Sequence, residues 1–471
     1  MKQKHRIQLI LLFACLCILA SAFADPVVIQ DYWAVDETNE GWKAFQAVHP
    51  DVRLADTELD KKGDRLEYVN TDTFVSALLT QEFHADMLGL KNVYFDNRQL
   101  MKKGFLLDLS DSETLRAAVE RMHPLIRQQV MHDGRIYALP TSVTLELLTV
   151  NKEVWEEEGF SISDLPDTIT EWFDFLEAWC DRREADPRTD VSVFGPWDTT
   201  VYSASTYPDL LTEWVIRNYI MQSQFAGEPL HFDETVLLPL LRRSKTIGTR
   251  LYQIEKQHLN QNSDTVGALL METLPMHLWP RDSDALIYMR MNEQQPKLIC
   301  AYINMTAVSA ATAHPALCVE LLEHIAQHPD QIASDTVLLY QDAVDMKDPN
   351  YEPDRARAQA NVNRVTEQLK DEKLETGTRE ELEKKLKKYQ KMLASYDDES
   401  KKYIQTPAQV ADYKQHADQL FFSVPGVFAY GTDAETNLTE LQRRFAAGQI
   451  TAEQMLKELN RMARMVQLED Q

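Results

Sequence analysis

Cysteine is scarce in this chain of 471 residues, which contains five. Beyond the apolar N-terminal segment only Cys180, Cys300 and Cys318 remain. Three thiols form at most one disulfide bridge, so a disulfide scaffold is excluded and large packed cores must supply the stability. The spacing does not decide whether any two of them pair. Cys180 ends an apolar helical pattern, which is typical of a buried small hydrophobic residue.

Long apolar runs are absent after the N-terminus. Residues 1–24 combine Lys2, Lys4 and Arg6 with an apolar run that is too short to span a bilayer and a small-x-small site ending at Ala24. We therefore predict a cleaved signal peptide and export to the periplasm or the outer face of the cell membrane. Cys15 follows Leu12-Phe13-Ala14, so a lipid anchor at Cys15 is the alternative, although Phe13 is large for a lipoprotein box.

Basic residues are outnumbered. The chain has 49 Lys and Arg against 74 Asp and Glu, a formal net charge of -25. This charge repels nucleic acid and anionic membrane surfaces and favours solubility. Nucleic acid is therefore excluded as a partner.

The motifs of common hydrolases are also missing: there is no G-x-S-x-G, no H-E-x-x-H and no P-loop. Glu320, His324 and His328 share one predicted helix face, but a helix face alone supplies too few ligands for a closed zinc site. We predict no catalytic residues, no metal and no cofactor. Carboxylates are abundant, so an extracellular glycosidase stays open as an alternative.

What the sequence does contain is strands alternating with helices, which predicts an α/β fold with a largely parallel sheet. Asp133-Gly134 is a two-residue turn signal, and we expect the strand that follows it to end its pairing at Pro140. Thr168 and Glu171 form a capping box before a helix whose Trp172 and Trp179 belong to the core.

Residues 354–404 differ from the rest in being highly charged with a narrow apolar seam. Gly377 separates two halves, and Thr378 with Glu381 forms a capping box. The pattern predicts a helical hairpin that projects from the molecule. The seam residues are Val362, Val365, Leu369, Leu382, Leu386, Tyr389 and Leu393.

Five segments occur in the order seen in bacterial extracellular solute-binding proteins of ABC importers, a large family with many sugar-binding members. They are "ADMLGL…GFLLDLSD", "DGRIYALP…TVNKEVWEEEGF", "LPDTITEWFDFLEAW", "PALCVELLEHIAQHPD" and "ELQRRFAAGQITAEQMLKEL". The chain resembles this family over most of residues 25–345 and 405–471. The resemblance implies an α/β, two-lobed, periplasmic-binding-protein-like fold with a ligand cleft between the lobes, plus the inserted helical hairpin.

The resemblance also implies a domain map in which the chain crosses between lobes more than once. Residues 140–146 would be the first crossing, since a strand ended by proline leaves the chain extended. The predicted parts are a signal peptide at 1–24, the first lobe at 25–139 and 303–345, the second lobe at 140–302 and 405–471, and the hairpin insert at 346–404.

Ligands of open α/β sheets lie on loops beyond the carboxyl ends of strands. Sugars present apolar faces and hydroxyl rims, which suit aromatic side chains beside carboxylates and amides. The alternative is that the tryptophans only pack loops against a lobe. The candidate ligand-binding residues are Asp31, Trp33, Asp36, Lys91, Asn92, Thr141 and Ser142 in and near the first lobe, and Trp197, Asp198, Trp279, Arg281 and Phe428 elsewhere.

The resemblance implies a receptor, not an enzyme: a monomer that binds a small polar solute, foremost a carbohydrate, by lobe closure and delivers it to ABC transporter permease subunits. Two alternatives remain open. One is a secreted interaction protein that acts through its helical hairpin, and the other is the glycosidase. The ligand itself is not fixed by the sequence, and peptides or polyamines also fit.

Overall fold

The computed structural model describes thirteen stretches of the chain. The predicted signal peptide and Cys15 lie outside them. The described residues are 27–35, 37–56, 84–92, 97–186, 191–194, 203–259, 268–273, 279–281, 283–328, 338–341, 346–370, 376–422 and 438–469.

Strands and helices alternate along these residues, as the sequence predicts. The strands are β1 (Val27–Tyr32), β2 (Val52–Asp56), β3 (Met87–Lys91), β4 (Met131–His132), β5 (Arg135–Ile136), β6 (Ala138–Glu146), β7 (Leu148–Asn151), β8 (Val191–Phe194), β9 (Ala268–Thr273), β10 (Asp284–Leu286), β11 (Ile299–Val308), β12 (Met346–Lys347), β13 (Tyr403–Gln405) and β14 (Leu420–Phe422). The helices are α1 (Glu40–Val48), α2 (Asn97–Lys102), α3 (Glu113–Glu120), α4 (Pro124–Val130), α5 (Lys152–Glu157), α6 (Ile169–Ala185), α7 (Thr206–Ala226), α8 (Glu234–Leu259), α9 (Pro315–Gln327), α10 (Tyr351–Leu369), α11 (Thr376–Ser395), α12 (Pro407–His416), α13 (Leu438–Ala446) and α14 (Ala452–Glu469).

The first lobe is built on a mixed sheet with β11 at its centre. One edge of β11 pairs antiparallel with β6, and the other edge pairs with β3 and, further along, with β14. The sheet continues from β3 through β1 to β2 in parallel. Helices α1, α3, α4 and α9 contribute side chains to one apolar cluster with this sheet. The strand run 27–32, 52–56 and 87–91 confirms the predicted α/β pattern. The prediction of a largely parallel sheet is wrong, because β3 and β6 both pair antiparallel with the central strand β11.

The second lobe contains a four-stranded sheet in the order β10, β7, β9, β8. Its apolar cluster joins the sheet to α6, α7, α8, α13 and α14. The capping box of Thr168 and Glu171 opens α6 as predicted. Trp172 and Trp179 are buried in this core, which confirms their predicted packing role.

Two predicted lobe boundaries are wrong. The region 405–471 does not belong as a whole to the second lobe, because α12 and β14 pack into the first-lobe cluster and β14 pairs with β11. Of the described elements after residue 405, α13 and α14 join the second lobe. After the hairpin the chain therefore returns to the first sheet at β14, and the next described element, α13, belongs to the second lobe.

Pro140 does not end its strand. Strand β6 runs on to Glu146 beside β11, and the register shifts where Pro140 pairs with Met305 and Thr141 is the extra residue. Proline is tolerated here because β6 is an edge strand and this point is a bulge. The crossing predicted at 140–146 therefore lies in the first sheet, and Val150 is the first residue of the second-lobe cluster.

The inserted hairpin is present, and we call residues 346–405 the arm. Helices α10 and α11 pack on each other, and strands β12 and β13 close the base. The side chains of the two helices that are buried within the described residues are Tyr351, Ala358 and Val365, and no arm residue belongs to a lobe cluster. Helix α11 begins at Thr376, so the predicted start at the Thr378 capping box is wrong.

Cys180, Cys300 and Cys318 are buried and free of disulfide bonds. Burial raises the pKa of Cys180 and of Cys318 to about 12 in each case, so both thiols stay protonated. In the part of the chain that the structure describes, no helix is long and apolar enough to cross a bilayer.

Deleting the arm tests its independence from the lobes. The Asp348 N–H donates to the Lys402 carbonyl over 2.8 Å, so Asn-Gly can replace residues 349–401 as a hairpin turn. We expect the unfolding free energy of the lobes to change by less than about 1 kcal/mol. The corresponding shift in Tm is smaller than roughly 2–4 °C.

The measurement is thermal unfolding followed by circular dichroism. A deeper deletion that also removes Gln405, whose side chain is completely buried, serves as the comparison and should destabilise the lobes. Aggregation of the shorter deletion, or a loss of Tm equal to that of the deeper one, would show that the arm is part of a lobe.

Candidate functional site

The two faces of the ribbon formed by β6 and β11 differ in character. Alternation along a strand sends Ile303 and Met305 into the first-lobe core. Directly paired residues share a face, so the opposite face collects the side chains paired across the two strands. We call it the polar face, and its residues are Ser142, Thr144, Glu146, Cys300, Tyr302 and Asn304.

One row of polar side chains crosses three strands of the first lobe. Asn304 pairs with Lys91 on β3 and with Ser142 on β6. The Asn304 Nδ2 donates to Ser142 Oγ over 2.5 Å. The structure thus brings the predicted residues Lys91 and Ser142 to the same row. Asn304, which joins them, was not predicted, because its partners lie on strands that are distant in sequence.

Trp33 lies immediately after β1, with 40% of its surface exposed. Its ring stacks on that of Tyr32 at 5.2 Å between centroids and 9° between planes. The backbone adopts a positive φ of 51°, which is uncommon for a residue with a side chain. A Cβ on Gly89 would lie 2.1 Å from the Trp33 carbonyl oxygen, so the glycine allows the loop to lie against β3.

Helix α7 of the second lobe reaches the junction end of the polar face. Glu213, Arg217, Met221 and Phe225 are spaced four residues apart and therefore form one ridge of the helix. The Arg217 guanidinium forms ion pairs with Glu146 of β6 and with Glu213. Further along the ridge, Met221 clusters with Leu298 and Cys300, and Phe225 meets Phe421 edge-on.

The positive charge of Arg217 at this junction is stabilised by its ion pairs with Glu146 and Glu213. Burial disfavours the charged guanidinium, but the carboxylates of Glu146 and Glu213 outweigh burial and raise the pKa of Arg217 well above its ordinary value. Burial also raises the pKa of Tyr302 and that of Cys300. The phenol and the thiol are therefore neutral, and the Tyr302 hydroxyl can donate a hydrogen bond.

Asp31, Asn92 and Thr141, which were predicted to bind ligand, take structural positions. Asp31 is buried and its Oδ2 accepts from the Val35 N–H at 3.4 Å, within the turn after β1. The Asn92 Oδ1 accepts from the Ile303 N–H at 2.7 Å, and the Asn92 N–H donates to the Ile303 carbonyl. Asn92 thereby continues the pairing of β11 beyond the end of β3. Thr141 is the bulge residue of β6.

The described candidates that were predicted for the second lobe are also engaged with the protein, and Trp279 belongs to the first-lobe cluster. Trp279 is 1% exposed, its Nε1 donates to Asp412 Oδ2 over 2.7 Å, and its ring meets Tyr413 edge-on. This geometry matches the alternative of a packing tryptophan, so Trp279 is left out of the site. Arg281 pairs with the buried Asp284 at 2.9 Å. Asp36, Trp197, Asp198 and Phe428 lie outside the described residues.

The helix face with Glu320 and two histidines packs against α1. Glu320 Oε1 lies 3.0 Å from His49 Nε2, and the His324 ring meets Phe45 edge-on. Within the described residues no cluster of His, Cys, Asp and Glu is arranged to hold a metal ion.

No protein-family model matches the chain, and no curated protein matches it in sequence. Solved structures do match. A chitin oligosaccharide binding protein is 13% identical, with a TM-score of 0.50 over 94% of this chain and 100% of that one. The GacH receptor of Streptomyces glaucescens is 12% identical, with a TM-score of 0.49 over 94% and 98%. A family 1 extracellular solute-binding protein from Bifidobacterium longum subsp. infantis is 14% identical, with a TM-score of 0.47 over 94% and 100%.

At these identities the likeness defines the fold. The chitin oligosaccharide binding protein is matched along its whole length, so the chain has the two-lobed α/β fold of that protein, with the arm added. The predicted fold class and the resemblance on which it rested are confirmed at that level.

The ion pair between Arg217 and Glu146 joins the two lobes, and a double-mutant cycle tests it. We expect Arg217→Gln and Glu146→Gln to be coupled by about 0.5–3 kcal/mol in unfolding free energy, because the partners are half-buried and in contact. The measurement is urea unfolding of both single variants and the double variant.

The pair of Arg242 and Glu453 is the matched control, since it lies within the second lobe with both side chains at least half exposed. Exposed pairs contribute about 0.2–1 kcal/mol. A coupling at Arg217 and Glu146 no larger than that of the control would show that the interlobe pair does not hold the lobes together.

Proposed function

We propose that this protein is an extracytoplasmic receptor that binds a carbohydrate between its lobes, closes on it and delivers it to an ABC transporter permease. The observation that carries the proposal is the polar face. It lies on β11, which pairs with three other strands, and it ends at helix α7 of the other lobe.

The chemistry of this surface suits a sugar. The hydroxyls of Ser142 and Tyr302 and the amide of Asn304 both donate and accept, which matches the alternating needs of sugar hydroxyls. The carboxylate of Glu146 accepts, and Arg217 holds it in place. Trp33 adds an exposed aromatic ring with a fixed backbone, against which the apolar face of a pyranose can stack.

Lobe closure gives a role to the polar side chains of both lobes. Side chains of β6 and β11 would contact one side of the ligand, and α7 with its loops would contact the other. A ligand that touches both lobes favours the closed state by its extra affinity for that state. Recognition of the closed form by a permease then couples binding to transport. The export that this role requires rests on the predicted signal peptide.

The ligand class is tested by a thermal-shift screen of the whole chain. The panel contains chitin oligosaccharides, raffinose and mannitol, with a dipeptide mixture and spermidine as the competing classes. A ligand that binds only the folded form at 100 times its Kd stabilises it by about 2.7 kcal/mol. Stabilisation by peptides or spermidine alone would overturn the carbohydrate proposal, and release of reducing sugar on incubation would favour the glycosidase.

Trp33→Ala separates ligand stacking from packing. We expect it to weaken binding of the best carbohydrate by about 1–3 kcal/mol, by analogy with base stacking on aromatic residues, and to change stability little because the ring is exposed. Trp33→Phe should retain most of the affinity. The measurements are calorimetric titration and a urea unfolding midpoint.

Trp279→Ala is the matched control, because it removes the same side chain from a buried position. It should cost about 3–5 kcal/mol of stability. Unchanged affinity in Trp33→Ala would remove this residue from the proposed site.

A further inference from the structure

The arm differs in charge from the rest of the chain. Residues 346–405 contain 14 Lys and Arg and 13 Asp and Glu, so the arm carries about +1 and the remainder about −26. The net charge of −25 is therefore distributed unevenly between the arm and the rest of the chain. Within the arm the basic charge is again concentrated, because no acidic residue occurs from Lys384 to Ser395.

Five lysines on α11 form what we call the lysine face. Lys384, Lys387, Lys388 and Lys391 recur at spacings of three and four, which places them on the side of the helix opposite Leu386 and Leu393 of the seam. Lys385 flanks them. All five are exposed, and within the described residues none makes an ion pair or hydrogen bond.

This arrangement is only partly compensated within its helix. Glu380, Glu381 and Glu383 lie four residues before Lys384, Lys385 and Lys387, a favourable order. Lys388 and Lys391 have lysines and no acidic residue at spacings of three and four, and like charges at these spacings destabilise a helix. The arm elsewhere places an acidic partner beside its lysines. Lys370 pairs with Glu367 and Lys402 pairs with Glu399, each three residues away. A solubilising surface needs no such concentration of one charge, so the lysine face is better explained by a polyanionic partner.

We propose that the lysine face docks the arm onto an anionic lipid surface. All five basic residues are lysine, a compact charge on a flexible stem, whereas folded protein interfaces are depleted in lysine and enriched in arginine. Met392, with 38% of its surface exposed, adjoins the lysines and can enter the headgroup region. Anionic headgroups attract clusters of roughly four to eight basic residues on one helix, and the lysine face is such a cluster.

The acidic lobes do not prevent this contact. Charges separated by more than about 8 Å are largely screened at physiological salt, and α11 is about 30 Å long. A flat surface can therefore touch the outer side of α11 while most of the lobe surface lies beyond the screening distance. Docking would hold a receptor close to the membrane in which its permease lies, but it does not depend on the nature of the ligand.

Vesicle co-sedimentation tests the proposal with three forms of the whole chain. Vesicles contain either phosphatidylcholine alone or phosphatidylcholine with phosphatidylglycerol. The arm variant carries Lys384→Gln, Lys387→Gln, Lys388→Gln and Lys391→Gln. The control variant carries Lys102→Gln, Lys103→Gln, Lys256→Gln and Lys457→Gln, four exposed lysines of the lobes. Both variants have the same net charge, and glutamine keeps helix propensity high.

We expect the original chain to bind the anionic vesicles more than the neutral ones at low salt and to lose this difference at high salt. The arm variant should lose about fivefold in partitioning for each lysine removed, and the control variant should bind like the original. Any membrane affinity of the N-terminal segment, including the preference of Lys2, Lys4 and Arg6 for anionic lipid, is common to all three proteins, so the difference between the arm variant and the control variant carries the test.

Three outcomes would overturn the proposal. The original chain shows no preference for anionic vesicles, the two variants lose binding equally, or the lysines promote salt-sensitive self-association in place of vesicle binding, which would assign the face to a second copy. Circular dichroism melting of the arm variant confirms that α11 is retained. Ligand titration of the same variant should be unchanged, so this test is independent of the proposed carbohydrate site.

Discussion

Strand β11 carries the constraint on which the rest of the molecule depends. Its two edges are shared by β6, β3 and β14, so it joins three distant segments of the chain in one sheet. Its alternation assigns Ile303 and Met305 to the core and Tyr302 and Asn304 to the polar face. A shift of one residue in the pairing register of β11 would exchange its two faces. The register therefore fixes both the core packing and the composition of the candidate site.

The junction between the lobes follows from the same strand. Where β11 leaves the first-lobe core, Cys300 and Leu298 pack with Met221 of α7, and Glu146 on the paired strand meets Arg217. An apolar contact and a half-buried ion pair thus lie side by side at the junction end of the polar face. Among the described residues of the polar face, Cys300 and Tyr302 belong to or pack against this apolar cluster, whereas Ser142, Thr144 and Asn304 lie outside it.

Local patterns in the sequence were enough to predict the strands around Val27, Val52 and Met87, the capping box at Thr168 and the helical hairpin. The pairing of strands that are distant in sequence could not be predicted from these local patterns. Pro140 continues β6 because a bulge on an edge strand removes the need for its missing N–H, and β14 returns to β11 from more than 100 residues away. The same limit applies to the site: Ser142 and Lys91 were predicted, whereas Asn304 and Arg217 become candidates only through pairing across strands and lobes.

The central claim is that a carbohydrate binds between the lobes and draws them together. Small-angle X-ray scattering of the chain, alone and saturated with the carbohydrate that stabilises it most, tests this claim most directly. The account predicts a smaller radius of gyration in the saturated sample, with the arm-deleted protein showing the same decrease. A carbohydrate that binds by calorimetry but leaves the radius of gyration unchanged would contradict it.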